Sequence, residues 1–174
     1  MKGIVPFSND IEKFVIGCLI LDRHDEIYLI EEDDFYNQNC KILFKIIKWL
    51  KEKQKPIDVV SISDYAKQKI ENALDFTVEC VGIVTTTSLF CTHLEKLKLY
   101  TTKRKLIKKA NEIERLVYES EHDLSIDLKN DAMQKLSEIS AYEKKNNESC
   151  LNEILLKTVK DIEDDYNQKD ELKL

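Results

Sequence analysis

EEDDFYNQNCKILFKIIKWLKEKQKPIDVV, residues Glu31–Val60, holds the most legible helix of the chain between two stops. Ile42/Leu43, Ile46/Ile47 and Trp49/Leu50 recur at helical spacing, which lays one apolar stripe along a helix over about Asn37–Lys53. Pro56 ends it, because the residue before a proline is pushed out of helical geometry. Asp58 then suits the N-cap of a following helix through Tyr65 and Ala66. The acidic turn Glu31–Asp34 reads as the start of the next helix, where negative charge is favoured. The competing reading is a patch that recruits a cationic partner. Nothing in the stretch has a catalytic pattern, so it is a packing element framed by turns.

Working outward, a helix is expected from Asn9 or Asp10 as N-cap to about Asp22. Its apolar residues Ile11, Phe14, Val15, Ile16, Leu19 and Ile20 cover most of its circumference and place it centrally. A short helix over about Asp25–Ile30 leads into the acidic turn, and another covers about Ala73–Val84. TTTS (Thr85–Ser88) is a hydroxyl-rich break. A long helix follows from Leu89 to Glu119, then a polar corner (Glu119–Ser125) and a helix from Ile126 to Tyr142. Two amphipathic helices around a short corner make an antiparallel hairpin. KKNNES (Lys144–Ser149) is a solvated linker, and a last helix capped by Ser149 carries Leu151, Leu155, Ile162 and Tyr166 on one stripe. The fold class is therefore all-α: a compact helical bundle (1–86), a helical hairpin (87–143), and a linker with its amphipathic helix (144–174).

The bulk composition agrees. With only 3 Gly and 2 Pro among 174 residues, and 34% charged residues, the chain is built for long helices and short loops. The formal charge of −6 argues against a protein that coats DNA by overall charge. Five cysteines without a close pair in sequence fit reduced thiols in a cytoplasmic protein. The apolar run Phe14–Leu21 is bracketed by Asp10, Glu12 and Asp22 and is short for a membrane span, so neither a targeting signal nor a membrane helix is expected.

Chemistry is sparse. The three glycines, Gly3, Gly17 and Gly82, build no phosphate-binding loop, so no nucleotide cofactor and no ATP hydrolysis are expected of this chain. His24-Asp25-Glu26 is the one dense donor cluster, and it is too small by itself for a metal site. Cys91 and His93 are two apart, the wrong spacing for a nucleophile and base on one helix face. The basic run Lys96, Lys98, Lys103, Arg104, Lys105, Lys108 and Lys109 is either a solvated helix face or a DNA contact. The remaining candidates are apolar: Ile113, Leu116, Val117, Leu128, Met133 and Leu136 on the hairpin as a pairing surface, and Leu151, Leu155, Ile162 and Tyr166 as a docking face. Both either pack back within the chain or bury against another subunit.

Several short motifs resemble, in order and spacing, the N-terminal domain of the DnaB family of bacterial replicative DNA helicases. They are Asp10-Ile11-Glu12-Lys13-Phe14-Val15-Ile16-Gly17, Leu21-Asp22, Asp33-Asp34-Phe35-Tyr36, Ile42-Leu43-Phe44, Pro56-Ile57-Asp58-Val59-Val60 and Arg104-Lys105-Leu106-Ile107. The similarity spans about Asp10–Ile139, and Ser149–Asn167 is similar to the family's linker helix. The chain departs from the pattern at Cys40, where the family usually has His. It also lacks the Gly-Gly turn before the fifth helix, having Ile70-Glu71-Asn72 there, and an aromatic pair after TTTS. The resemblance implies a collar of N-terminal domains, a trimer of dimers, paired through the hairpin. It also implies primase docking on that collar and a linker helix packed against a neighbouring subunit's motor domain. The motor would begin near Leu174, so the expectation is a truncated or stand-alone collar whose full-length parent is an ATP-dependent helicase. A stand-alone helicase-binding regulator and a small DNA-binding module are the alternatives.

Overall fold

Ser8 starts the first helix, one or two residues before the caps expected from sequence. Its backbone is extended (φ −144°, ψ 114°) and its hydroxyl accepts from the Ile11 N–H, making it the N-cap of α1, Asn9–Leu21. The structure, a computed structural model, describes residues 5–22, 24–119 and 129–138. The short helix expected over about Asp25–Ile30 is a 3-10 helix, His24–Leu29, and the acidic turn contains a second, Glu32–Asp34. The helix of the quoted stretch, α2, runs Gln38–Glu52, with the Asn37 side chain accepting from the Asn39 and Cys40 N–H groups at 2.8 and 3.3 Å. Asp58 caps α3, Val59–Ala66, accepting from Val60 and Ser61 at 2.9 Å. Those hydrogen bonds, Ser61 first, hold its carboxyl below the usual range.

The turn without glycines is solved by Asn72. It adopts the left-handed conformation (φ 55°, ψ 43°) that asparagine tolerates better than most residues, and α4, Ala73–Gly82, follows it. The hydroxyl-rich break holds a short 3-10 helix, Thr87–Leu89, with the Thr86 hydroxyl accepting from the Ser88 N–H. α5 then runs Phe90–Glu119, and α6 covers 129–138 inside the span expected for the hairpin's second helix. No strand occurs among the described residues. The corner 120–128, the linker and the last expected helix lie outside them.

The chain divides into two compact units, Met1–Glu112 and Ile113–Leu174. The first contains the buried hydrophobic core. α1 sits at its centre, with Val15, Ile16, Cys18 and Leu19 fully shielded and Leu43, Ile47, Ile62, Ala66 and Cys80 packed from α2, α3 and α4. Each buried Leu or Ile stabilises the fold by about 1.5–3 kcal/mol. α1 and α4 meet at Gly17, where a Cβ would lie 2.0 Å from the Cys80 carbonyl oxygen and 2.6 Å from Val84 Cγ2. Only glycine allows that approach. Lys13 clasps the same two helices at the surface through Glu79 (2.6 Å), and this bond raises the lysine's pKa. Cys40 and Cys80, forty positions apart in sequence, are hydrogen-bonded neighbours in the core. That bond and then burial push the Cys40 thiol well up, so it stays protonated.

Candidate functional site

The long helix α5 carries many of the residues singled out from sequence, and its first four turns are held firmly in the first unit. Phe90, Leu94, Leu97, Thr101 and Thr102 are buried. Thr101 Oγ1 donates to the Leu97 carbonyl at 3.1 Å, as a threonine on a helix face often does. Opposite this face lies the acidic turn.

Asp34 is fully buried, and its Oδ2 accepts from Lys98 Nζ at 2.5 Å and from the Glu31 backbone N–H at 2.7 Å. Six residues on, the Arg104 guanidinium forks over the backbone of the same turn. Nη2 reaches the Asp34 and Asp33 carbonyls at 2.7 and 3.0 Å, and Nη1 the Pro6 carbonyl at 3.1 Å. Lys105 is half-buried, and its pKa is lowered first by desolvation, against the opposing pull of Glu31, Asp34 and Asp33. Glu12 completes the arrangement from α1. Its two carboxylate oxygens accept from the Tyr36 and Asn37 N–H groups at 3.0 and 2.8 Å, fixing the exit from the turn. Burial raises its pKa, and the two N–H donors and then Arg104 oppose that.

The acidic turn and part of the basic run thus meet inside the first unit. The turn does not start α2, which Asn37 caps; it holds a 3-10 helix of its own, and its cationic partner is α5 of the same chain. Lys98 and Arg104 are neither a merely solvated face nor available to phosphates. Sequence reasoning missed Glu12 as the residue that organises this corner. An acidic side chain on the otherwise apolar circumference of α1 was its only signal.

The hairpin candidates fall in the second unit. Ile113 and Leu116 are half-buried, and Val117, Met133 and Leu136 are exposed. In the first unit the same helix also exposes Leu106 and Ile107. Leu128, Leu151, Leu155, Ile162 and Tyr166 lie outside the described residues. The donor cluster at His24 is partly engaged, because Asp25 pairs with Lys51. Among the described residues, no group of three or more His, Cys, Asp or Glu is placed to hold a metal ion. Cys91 is exposed, whereas the His93 ring packs on Phe14 at 4.1 Å with its Nδ1 buried and without a hydrogen-bond partner among the described residues. No single helix among the described residues is long and apolar enough to cross a membrane.

An all-helical packing module, with a long helix rooted in its core and still displaying apolar side chains, is the class these features define. The chain matches the family described as DnaB-like helicase N terminal domain over residues 4–98, and it belongs to that family. It is similar to the replicative DNA helicase DnaB of Buchnera aphidicola, at 28% identity over 172 residues, covering 94% of this chain and 37% of that protein's length. The chain therefore spans well under half of that relative. Its fold is that of the N-terminal domain of DnaB helicase from Mycobacterium tuberculosis: TM-score 0.69, 14% identity, 77% of this chain and 99% of that one. The N-terminal domain of DnaB helicase from Helicobacter pylori, described together with its interactions with primase, is also similar. There the TM-score is 0.54 at 24% identity, over 63% of this chain and 90% of that one.

Proposed function

We propose that this chain is the collar and assembly domain of a replicative DNA helicase, pairing with copies of itself and presenting a surface to primase. Family membership supports the reading, and the Helicobacter pylori relative is described with primase. The observation that carries the pairing is the exposure of Met133 (60%) and Leu136 (48%) on α6 together with the apolar face of α5. A few such side chains, each contributing about 1.5–3 kcal/mol when buried, suffice to drive association. A two-fold contact would place the same residues on both sides. Higher assembly, as a trimer of dimers with a linker helix on a neighbour's motor domain, belongs to the same proposal, as does a cytoplasmic location. DNA contact would be weak, with Lys98 and Arg104 already engaged. The chain alone would use no cofactor and hydrolyse no ATP.

Sedimentation tests the pairing. The wild type is expected to associate at about 50 μM, the range of a modest interface. Leu116→Glu with Leu136→Glu is expected to yield a monomer of unchanged cooperative melting. A wild-type monomer at that concentration, or unfolding of the entire chain by the double change, refutes hairpin pairing.

A further inference from the structure

A second surface lies on the first unit, between α2 and α3. An open groove of about 570 Å³ has Ile42 and Ile46 at its base, Trp49 and Tyr65 as its wall, and Lys45 and Lys69 on its lip. No carboxylate lines it. Trp49 is 37% and Tyr65 45% exposed, and the two rings meet edge to face at 5.0 Å with one lysine beside both. That lysine is Lys55. Its ammonium stands 4.6 Å from the Trp49 ring centroid and 5.4 Å from that of Tyr65, and it donates to the Tyr65 hydroxyl at 3.0 Å.

We propose that this groove docks an acidic amphipathic helix of a partner protein. The apolar base and aromatic wall take side chains recurring at helical spacing, the manner in which a helix is read by a groove. The lysines select carboxylates on the flanks of that helix. Among the described residues Lys69 has no carboxylate partner, and Lys45 pairs with the half-exposed Glu32 (2.6 Å), which an incoming carboxylate can replace. Charge complementarity therefore specifies an anionic occupant. Single-stranded nucleic acid is the other anionic candidate, since its bases stack on aromatic rings beside cations. The lining argues against it: Ile42 and Ile46 lie beside the rings, and the apolar side chains of a helix would cover them where a nucleotide would lay polar and charged groups.

Trp49 is the sole tryptophan, so its emission reports on the groove directly. The probes are synthetic acidic amphipathic helices of about 15 residues, differing in the spacing of their apolar anchors, with scrambled controls of the same composition. At least one ordered peptide is expected to shift Trp49 emission saturably, and its scrambled partner is not. Lys45→Glu with Lys69→Glu, both on the surface, is expected to weaken that peptide at least about tenfold by anisotropy, as loss of two charge pairs implies, with helicity unchanged. No shift from any peptide at millimolar concentration overturns the proposal. So does binding unaffected by the charge reversals, or a Trp49 response to an oligothymidylate of about 20 nucleotides that the peptides do not produce. Hairpin pairing is read separately by sedimentation, so either idea can fail alone.

Discussion

Glu12 shows how one residue on an apolar helix can be indispensable. A carboxylate offers two acceptors side by side, and the turn after Phe35 presents two N–H groups to match. Glu12→Ala leaves both poorly satisfied and is expected to cost about 2–3 kcal/mol, read as a lower midpoint in urea. Glu12→Gln is no rescue, because its amide would turn a donor toward one N–H. The carboxyl also sets a pH dependence. Its folded pKa is raised above the ordinary 4.5, so the folded state holds more protons in the window just above 4.5 and stability falls as pH rises through it. His93 works in the opposite sense. Desolvation, and then Lys96, lower its pKa below 6.5, so stability is lost as pH falls from 6.5 toward its folded value. His93→Phe, which keeps a ring against Phe14, is expected to remove that loss. Thermal melts compared across the window on the acid side of 6.5 check it, and an unchanged slope would dismiss His93 as the cause.

Among the elements, the helices that announce themselves by period and cap came out as expected. α2 has its doublets of apolar residues, Asn37 and Pro56, and α3 has Asp58; each signal is local, within one or two turns of chain. What could not be read is the joint between α5 and the acidic turn. Lys98 and Asp34 are 64 positions apart, and a basic run looks the same whether it faces water or a carboxylate. The pairing candidates on the hairpin were legible as apolar stripes, but whether a stripe is covered depends on the partner and not on its own sequence. The short helix expected over about Asp25–Ile30 is there, as a 3-10 helix over His24–Leu29. Asp34→Ala removes the buried carboxylate that Lys98 and the Glu31 N–H both donate to. The expected destabilisation is about 2–4 kcal/mol, below that of a wholly dry pair because Lys98 keeps some access to water. A midpoint shift in guanidinium smaller than that for an exposed pair such as Asp64–Lys67 would show that the joint contributes little.

At the scale of the molecule, the buried hydrophobic residues among those described lie between Phe14 and Leu97, inside the first unit. Residues 1–112 are therefore expected to fold alone, with a single cooperative melt and the Trp49 emission of the intact chain. A broad, non-cooperative transition would mean that residues beyond 112 complete the core. If the fragment does fold, pairing, groove docking and head stability can be measured one at a time, because the residues proposed for each lie on different parts of the chain.

Arg104 grips the acidic turn and the chain at Pro6 almost wholly by their carbonyl oxygens. Every amino acid carries a carbonyl, so the guanidinium reads the path of the backbone and is indifferent to what it is made of. Evolution is then free to rewrite the side chains at positions 6 and 33 while position 104 stays bound to a donor of the same reach and fork. Tolerance of side-chain change at the rim of this joint and dependence on the fork at its centre are two expectations from one contact.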